Sequence, residues 1–301
     1  MAVQTVIPAP SARKTVPCHV CSSTDHTEYL EVRGYRITQC RSCGLWYVNP
    51  QPTPEELSRF YAGYDDGEQW RKGEEHFNRR VRRAILQMKR SGVVLDIGCG
   101  SGNFLRCMKE VGFSVFGIEA SVSGAGFARA THGIKIYHGM IEDYLVAHAM
   151  RQFDVITLLN VLEHLTHPAQ TLLQLRQVLA PDGVLAIVVP DARFHDLLGR
   201  LRHRMGFSDP YWLGQSKSFL SGFKLPDHLC SFQPRTIAFL LQRCGFRVVA
   251  LQNAPLVFNS ELHRNLGKLM VRSVSQVFYY FTFRRVLVGY STLVLARKGQ
   301  D

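Results

Sequence analysis

Two sets of residues in this chain have the types and spacing to do chemistry. The first is a double pair of cysteines, Cys18-x2-Cys21 and Cys40-x2-Cys43, with residues 22–39 between the pairs. Each pair brings two thiolates to one side of a tight turn, and two such turns at this separation close a tetrahedron of four sulfurs around a zinc ion. Four protein ligands leave no position open for water or substrate, so the expected Zn2+ is structural. In a ribbon with almost no core of its own it would supply roughly 10 kcal/mol or more of folding free energy. The segment between the pairs, Tyr29 to Thr38, alternates as a hairpin turning near Arg33-Gly34. His19 and His26 are surplus to a four-cysteine site.

The second set is Val93-Val-Leu-Asp-Ile-Gly-Cys-Gly-Ser-Gly-Asn-Phe-Leu, a short buried strand, a glycine-dense turn and the start of an amphipathic helix. Gly98, Gly100 and Gly102 can adopt positive φ and let the backbone approach a ligand closely, and the helix start offers free N–H groups. A dinucleotide fingerprint G-x-G-x-x-G would need glycine at position 103, where the chain has Asn103. Glu119 closes the next strand, Ser114 to Glu119, where a carboxylate can accept hydrogen bonds from two ribose hydroxyls.

The elements that must position these residues can be read around them. Residues 1–17 carry Pro and Ala without a periodic apolar face and read as a flexible tail, followed by a zinc ribbon over 18–50. A helical connector spans 51–90: Thr53 or a neighbour caps a first helix, and His76–Arg90 forms a second with Phe77, Val81, Ile85 and Met88 on one face and arginines mainly on the others. The α/β domain occupies 91–301, with insertions near 191–229 and 258–289. The first insertion is basic and aromatic (Arg193, Arg200, Arg202, Arg204, Tyr211, Trp212) and suits a substrate lid. The second covers the core or rests on a membrane surface.

The apolar fraction of 46% is enough for one sizeable core, and no uncharged run approaches a bilayer span. The N-terminus lacks a secretory apolar region and the remaining cysteines are scattered singly, so a reducing, cytoplasmic setting is expected. The formal charge of +12 implies an anionic partner. Nucleic acid, a phosphorylated sugar or lipid carrier and a membrane surface satisfy it equally.

LDIGCGSG, then GIEAS, then FDVITLLNVLEHL, then PDGVLAIVVP together resemble the class I S-adenosylmethionine-dependent methyltransferase domain, nearest the ubiquinone-biosynthesis O-methyltransferase type, over residues 91–298. The ribbon followed by Tyr-Val-Asn-Pro-x-Pro is similar to zinc-containing methyltransferases that modify sugars, lipids or natural products. The resemblance implies an α/β fold with a Rossmann-like seven-stranded sheet. It assigns Asp96, Gly98 and Gly100 to the methionine part of the cofactor, Glu119 to the ribose, and Met140 and Ile141 to the adenine. It also suggests an upstream arginine, Arg79 or Arg80, for the cofactor carboxylate.

Methyl transfer is an in-line displacement from a sulfonium, so positioning dominates and an acceptor proton must be removed. The fourth strand ends at Asn160-Val-Leu-Glu-His164, at the carboxyl edge where this architecture opens its ligand crevice, which sets Asn160 beside the cofactor. By similarity to metal-assisted relatives, Glu163 and His164 are candidates for a general base or for holding a divalent cation that acidifies a hydroxyl. The alternative is that His164 only caps or packs the following helix. His228, in Asp-His-Leu-Cys-Ser-Phe, resembles an acceptor-side segment. The position after the fourth strand does not read Asn-Pro-Pro-Tyr, which favours oxygen or carbon acceptors over nitrogen.

The sequence therefore points to an O- or C-methyltransferase for a small or carrier-linked anionic acceptor. The rivals are an RNA methyltransferase using the ribbon for binding, and a non-catalytic cofactor-binding regulator.

Overall fold

The computed structural model describes residues 13–32, 35–62, 68–147, 151–192, 228–254 and 291–299. The N-terminal part folds around its cysteines. Strand β1 (His26–Val32) pairs antiparallel with β2 (Tyr35–Cys40), and β2 with β3 (Trp46–Val48). Helix α1 (Pro54–Ala62) follows. Its entry is a capping box: the Glu56 N–H donates to Thr53 Oγ1 at 3.2 Å, and the Thr53 N–H donates to Glu56 Oε2 at 2.7 Å.

Glu56 also anchors the end of the 1–17 segment that the sequence reads as a flexible tail. Residues 1–12 lie outside the described residues, but Arg13 is buried, donates to Glu56 at 2.7 Å, and sits 3.8 Å over the ring of Tyr35. Val16 N–H then donates to Asn49 Oδ1 at 2.9 Å, and Lys14 bridges to Gln51. The segment is held by long-range polar partners, which leave no periodic signature in sequence.

Helix α2 (Glu68–Leu86) starts earlier and stops sooner than its apolar periodicity suggests. Its first turns, Glu68-Gln-Trp-Arg-Lys-Gly73, carry no apolar periodicity. It ends where the Met88 and Lys89 N–H groups both fold back on the Ile85 carbonyl. Phe77, Val81, Ala84 and Ile85 form its buried stripe.

The remaining elements alternate strand and helix. They run β4 (Val93–Ile97), α3 (Asn103–Lys109), β5 (Ser114–Glu119), α4 (Val122–His132), β6 (Lys135–His138) and α5 (Ile141–Ala147). Then come β7 (Phe153–Leu159), a 3-10 turn (Leu162–His164), α6 (Pro168–Val178) and β8 (Leu179–Pro190). A short β9 (Cys230–Ser231) leads to α7 (Pro234–Arg243), β10 (Phe246–Asn253) and β11 (Ser291–Lys298). The large sheet has the order β10-β11-β8-β7-β4-β5-β6, with β11 antiparallel to both its neighbours. This is the seven-stranded Rossmann-like arrangement expected. The insertion near 258–289, and that near 191–229 apart from its ends, lie outside the described residues.

Strands buried on both faces read as continuous apolar runs, and here each strand feeds two cores. Val94, Val155, Ala186 and Val188 pack with α2 and α3 on one face. Leu95, Ile156, Leu158 and Ile187 join a cluster on the other face that continues into the ribbon through Cys18, Cys40, Leu45 and Tyr47. Each such side chain removed from water contributes about 2 kcal/mol. Ribbon and sheet therefore share one core. No helix among the described residues is long and apolar enough to cross a membrane.

Candidate active site

The strand order reverses at β4, whose neighbours β5 and β7 run to either side, and the crevice at such a reversal opens at the carboxyl ends of the strands. Asp96, Glu119 and Asn160 all stand at that edge. After β4 the chain turns through Gly98, Gly100 and Gly102 at φ of +64, +50 and +74°. A Cβ on Gly98 would lie 2.6 Å from Val161 Cγ2, and one on Gly102 would lie 2.9 Å from the Ala128 Cβ, so glycine is required for sterics as well as for φ.

Glu119 is fixed by this loop. Gly100 N–H donates to Oε2 and Ser121 N–H to Oε1, both at 2.7 Å, while the Ser121 hydroxyl caps α4 by accepting from Gly124 N–H. A carboxylate oxygen can accept more than one hydrogen bond, the capacity that a vicinal diol would call on. Gly139 N–H donates to the Glu119 carbonyl at 3.0 Å, which brings the next two residues alongside: Met140 is 48% exposed at the rim, and Ile141 is buried.

Asp96 is buried, with Thr157 Oγ1 donating to its Oδ1 at 2.5 Å across the β4–β7 pairing. Burial pushes Asp96 up to about 7; the Thr157 hydroxyl opposes this, and the charges of Glu119 and Glu74 add to it. Asn160 follows β7 in the left-handed region, φ +58°, and its N–H donates to the Val188 carbonyl at 2.9 Å. A carboxylate, a second acidic group and a glycine turn at one strand edge suit the ribose and cationic amino group of S-adenosylmethionine.

Arg79 is not brought to this loop by any described contact. It is 58% exposed and pairs with Glu75 on its own helix at 3.4 Å. Among the described side chains of α2, Glu74 reaches the residue just after the loop, accepting from Asn103 Nδ2 at 3.2 Å. The sequence reading passed over Glu74, and over Thr157, the lone hydroxyl in the apolar run of β7. A buried hydroxyl in a central strand needs a partner, and that requirement was the available signal.

Just after Asn160, Glu163 and His164 come together with His228, their ligand atoms all within 4.8 Å of one another. The two imidazoles meet edge to face, centroids 4.6 Å apart. Glu163 is fully buried and His228 nearly so. Glu163 and His164 ride on the 3-10 turn, closed by His164 N–H donating to the Val161 carbonyl at 2.9 Å. His228 arrives on a distant segment whose Leu229 N–H donates to the Glu163 carbonyl at 2.8 Å. Two imidazoles and a carboxylate can relay a proton or hold a divalent cation.

The four ribbon sulfurs also lie within 4.8 Å of one another, with Cys18–Cys43 and Cys21–Cys40 each 3.4 Å apart. A disulfide would need about 2.05 Å. Metal–sulfur bonds of about 2.3 Å spread tetrahedral sulfurs to about 3.8 Å, close to what is seen, so the set fits a metal and not a bridge. A hydrogen bond from the Cys43 thiol draws Cys18 down to about 5, and Cys43 is raised correspondingly. Cys230, completely buried, is raised by burial and then by the charges of Cys18 and Glu163, so it lies within electrostatic reach of both centres.

Against known proteins, the methyltransferase-domain family matches residues 70–251. A ubiquinone biosynthesis O-methyltransferase of Aromatoleum aromaticum is 36% identical over 107 residues, 34% of this chain and 44% of its own length. One from Actinobacillus pleuropneumoniae is 33% identical over 123 residues, 36% of this chain and 52% of its own. The chain thus spans about half, or less, of the length of these relatives. A SAM-dependent methyltransferase from Archaeoglobus fulgidus shares the fold with a TM-score of 0.50 at 19% identity, covering 77% of this chain and 100% of that one. The family match runs from α2 to β10 and takes in the glycine turn, Glu119 and the 3-10 turn, and on that extent this chain belongs to the family of S-adenosylmethionine-dependent methyltransferase domains.

Proposed function

We propose that this chain transfers the methyl group of S-adenosylmethionine to an oxygen or carbon of a small or carrier-linked anionic acceptor, such as a sugar or lipid intermediate. The observation that carries this reading is the meeting of Glu163, His164 and His228 on a turn whose Val161 packs against Gly98 of the cofactor loop. A proton-accepting group and a methyl donor would then share one wall. The names of the curated relatives favour oxygen, and the charge of +12 favours an anionic acceptor.

In this reading Glu119 takes the ribose diol, Asp96 the cationic amino group, Met140 and Ile141 the adenine, and Asn160 borders the methionine. The cofactor supplies an electrophilic methyl on a sulfonium. His164 or His228 removes the acceptor proton as the new bond forms, and Glu163 stabilises the imidazolium that results. The same three side chains suit a divalent cation that would acidify an acceptor hydroxyl. The ribbon cysteines hold a structural zinc that makes no contact with the transferred methyl. Arg79 is left out of the cofactor set because it faces solvent beside Glu75.

The test is incubation with methyl-labelled cofactor and separated sugar, lipid and RNA fractions. Label in the sugar or lipid fraction is expected. Label in RNA with steep salt dependence would replace this acceptor class with nucleic acid. Tight cofactor binding with no labelled product would make the chain a regulator.

A further inference from the structure

The segment from His228 to Thr236 belongs to two units at once. On one side it is a strand of the ribbon: Trp46 pairs with Ser231 and Tyr47 with Cys230, and Val48 N–H donates to the Leu229 carbonyl at 2.9 Å. Two side chains tie it to the second cysteine knuckle itself. Thr236 Oγ1 donates to the Cys43 carbonyl at 3.0 Å, and Gln233 Nε2 to the Gly44 carbonyl at 3.3 Å. On the other side it is fastened to the catalytic sheet. Leu229 N–H donates to the Glu163 carbonyl at 2.8 Å, Ala192 N–H donates to the Phe232 carbonyl at 2.9 Å, and Asp191 bridges to Phe232. Leu229, Cys230 and Phe232 are all buried in the cluster that also holds Cys18, Cys40 and Tyr47.

Leu229 is the joint: its carbonyl is held by the ribbon and its N–H by the turn that carries Glu163 and His164. His228 is the residue beside it. The cofactor cradle is built differently, since Gly100, Ser121 and Gly139 all bond to Glu119 and none of these bonds passes through the ribbon.

We propose that the four-cysteine ribbon is a positioning element for the acceptor half of the site: acting through Leu229, Gln233 and Thr236 it sets His228 against Glu163 and His164, and it leaves the cofactor half unaffected. A chain with a disrupted ribbon would still bind cofactor but would lose the arrangement of its acceptor-side histidines. The functional meaning of this rests on His228 being an acceptor-side group, whereas its placement can be measured without any acceptor.

The experiment uses the full chain labelled with 15N-histidine, the His228 and His164 signals being assigned by their loss in His228→Ala and His164→Ala. The ribbon is perturbed in two ways, by chelating its metal and by the double substitution Gln233→Ala with Thr236→Val, which keeps all four cysteines. Both are expected to shift or broaden the His228 and His164 imidazole signals and to speed exchange of the Leu229 amide by about tenfold or more. Calorimetric affinity for S-adenosylhomocysteine should stay within about twofold. Restoring the hydroxyl with Thr236→Ser in the Gln233→Ala background should return the signals toward their original positions. Unchanged histidine signals and Leu229 exchange in the double variant would overturn the proposal. So would a parallel loss of cofactor affinity, which would make the ribbon a general stabiliser. If chelation unfolds the whole chain, the metal-retaining double variant decides. A failure of the methyl-transfer reading would show as absent labelled product with these spectroscopic results intact, so the two failures are distinguishable.

Discussion

His164 and His228, far apart in the chain, meet with ring centroids 4.6 Å apart and planes at 89°. The contact exists because a 3-10 turn after β7 and the segment before β9 share a hydrogen bond, Leu229 N–H to the Glu163 carbonyl. The two imidazoles thus stand edge to face next to the buried Glu163, with the ligand atoms of all three within 4.8 Å of one another.

If this pair handles the acceptor proton, His164→Ala lowers turnover by about a hundredfold or more while cofactor affinity stays within about twofold. The comparison is between rates of methyl-label incorporation and calorimetric affinity for S-adenosylhomocysteine in the same preparations. Unchanged turnover would remove His164 from the mechanism.

Asp96 gives a pH dependence with a definite sign. Burial holds it at about 7, so below that pH the folded chain carries a neutral acid at the end of β4. A cationic amino group binds the ionised form, so cofactor affinity should fall about tenfold for each pH unit below 7 and level off above it. Stability moves the other way. Between the ordinary carboxylate range near pH 4 and pH 7 the folded state retains a proton that the unfolded chain has released, so stability falls as pH rises through that window. Asp96→Asn should therefore raise the melting temperature at pH 8 and flatten the affinity profile. An affinity independent of pH from 5 to 8 would remove Asp96 from the amino-group contact.

The Arg13–Glu56 pair is almost completely buried, and Tyr35 Oη also donates to Glu56 at 3.2 Å. Arg13→Met leaves the Glu56 carboxylate buried beside a weaker set of partners and should cost about 3 kcal/mol in urea unfolding of the metal-loaded chain. A loss below about 1 kcal/mol would mean that the pair behaves as a surface bridge does.

The ribbon should carry about one metal ion per chain, and zinc is the expected one for four thiolates. Chelation should free four titratable thiols and lower the first thermal transition. Full thiol reactivity in untreated protein with no bound metal would show that the cysteines are free.

Much of the architecture was legible because periodicity and glycine placement are local signals. The apolar runs of β4, β7 and β8, the turn after Asp96 and the x2 spacing of the cysteines each state their role within a dozen residues. What stayed hidden depends on long-range partners. Arg13 looked like part of a loose tail because Glu56 and Tyr35 are supplied from elsewhere. Strand β9 has only two residues and no periodicity, so its pairing with β3 had no local trace. Glu74 has no local signal either, since its partner Asn103 lies on another helix, whereas the exposed Arg79 pairs with Glu75 within its own helix. Glu163, His164 and His228 were each singled out, but their meeting is a property of the tertiary fold.

The central claim is that the strand edge holding Asp96 and Glu119 accepts an adenosyl ligand, and titration calorimetry with S-adenosylhomocysteine on metal-loaded chain tests it most directly. Saturable binding at one site per chain is predicted, weakened about tenfold or more by Glu119→Ala, which removes both the diol acceptor and the anchor of the Gly100 and Ser121 amides. No binding heat from folded, metal-loaded protein at several temperatures, or an affinity indifferent to Glu119, would contradict it.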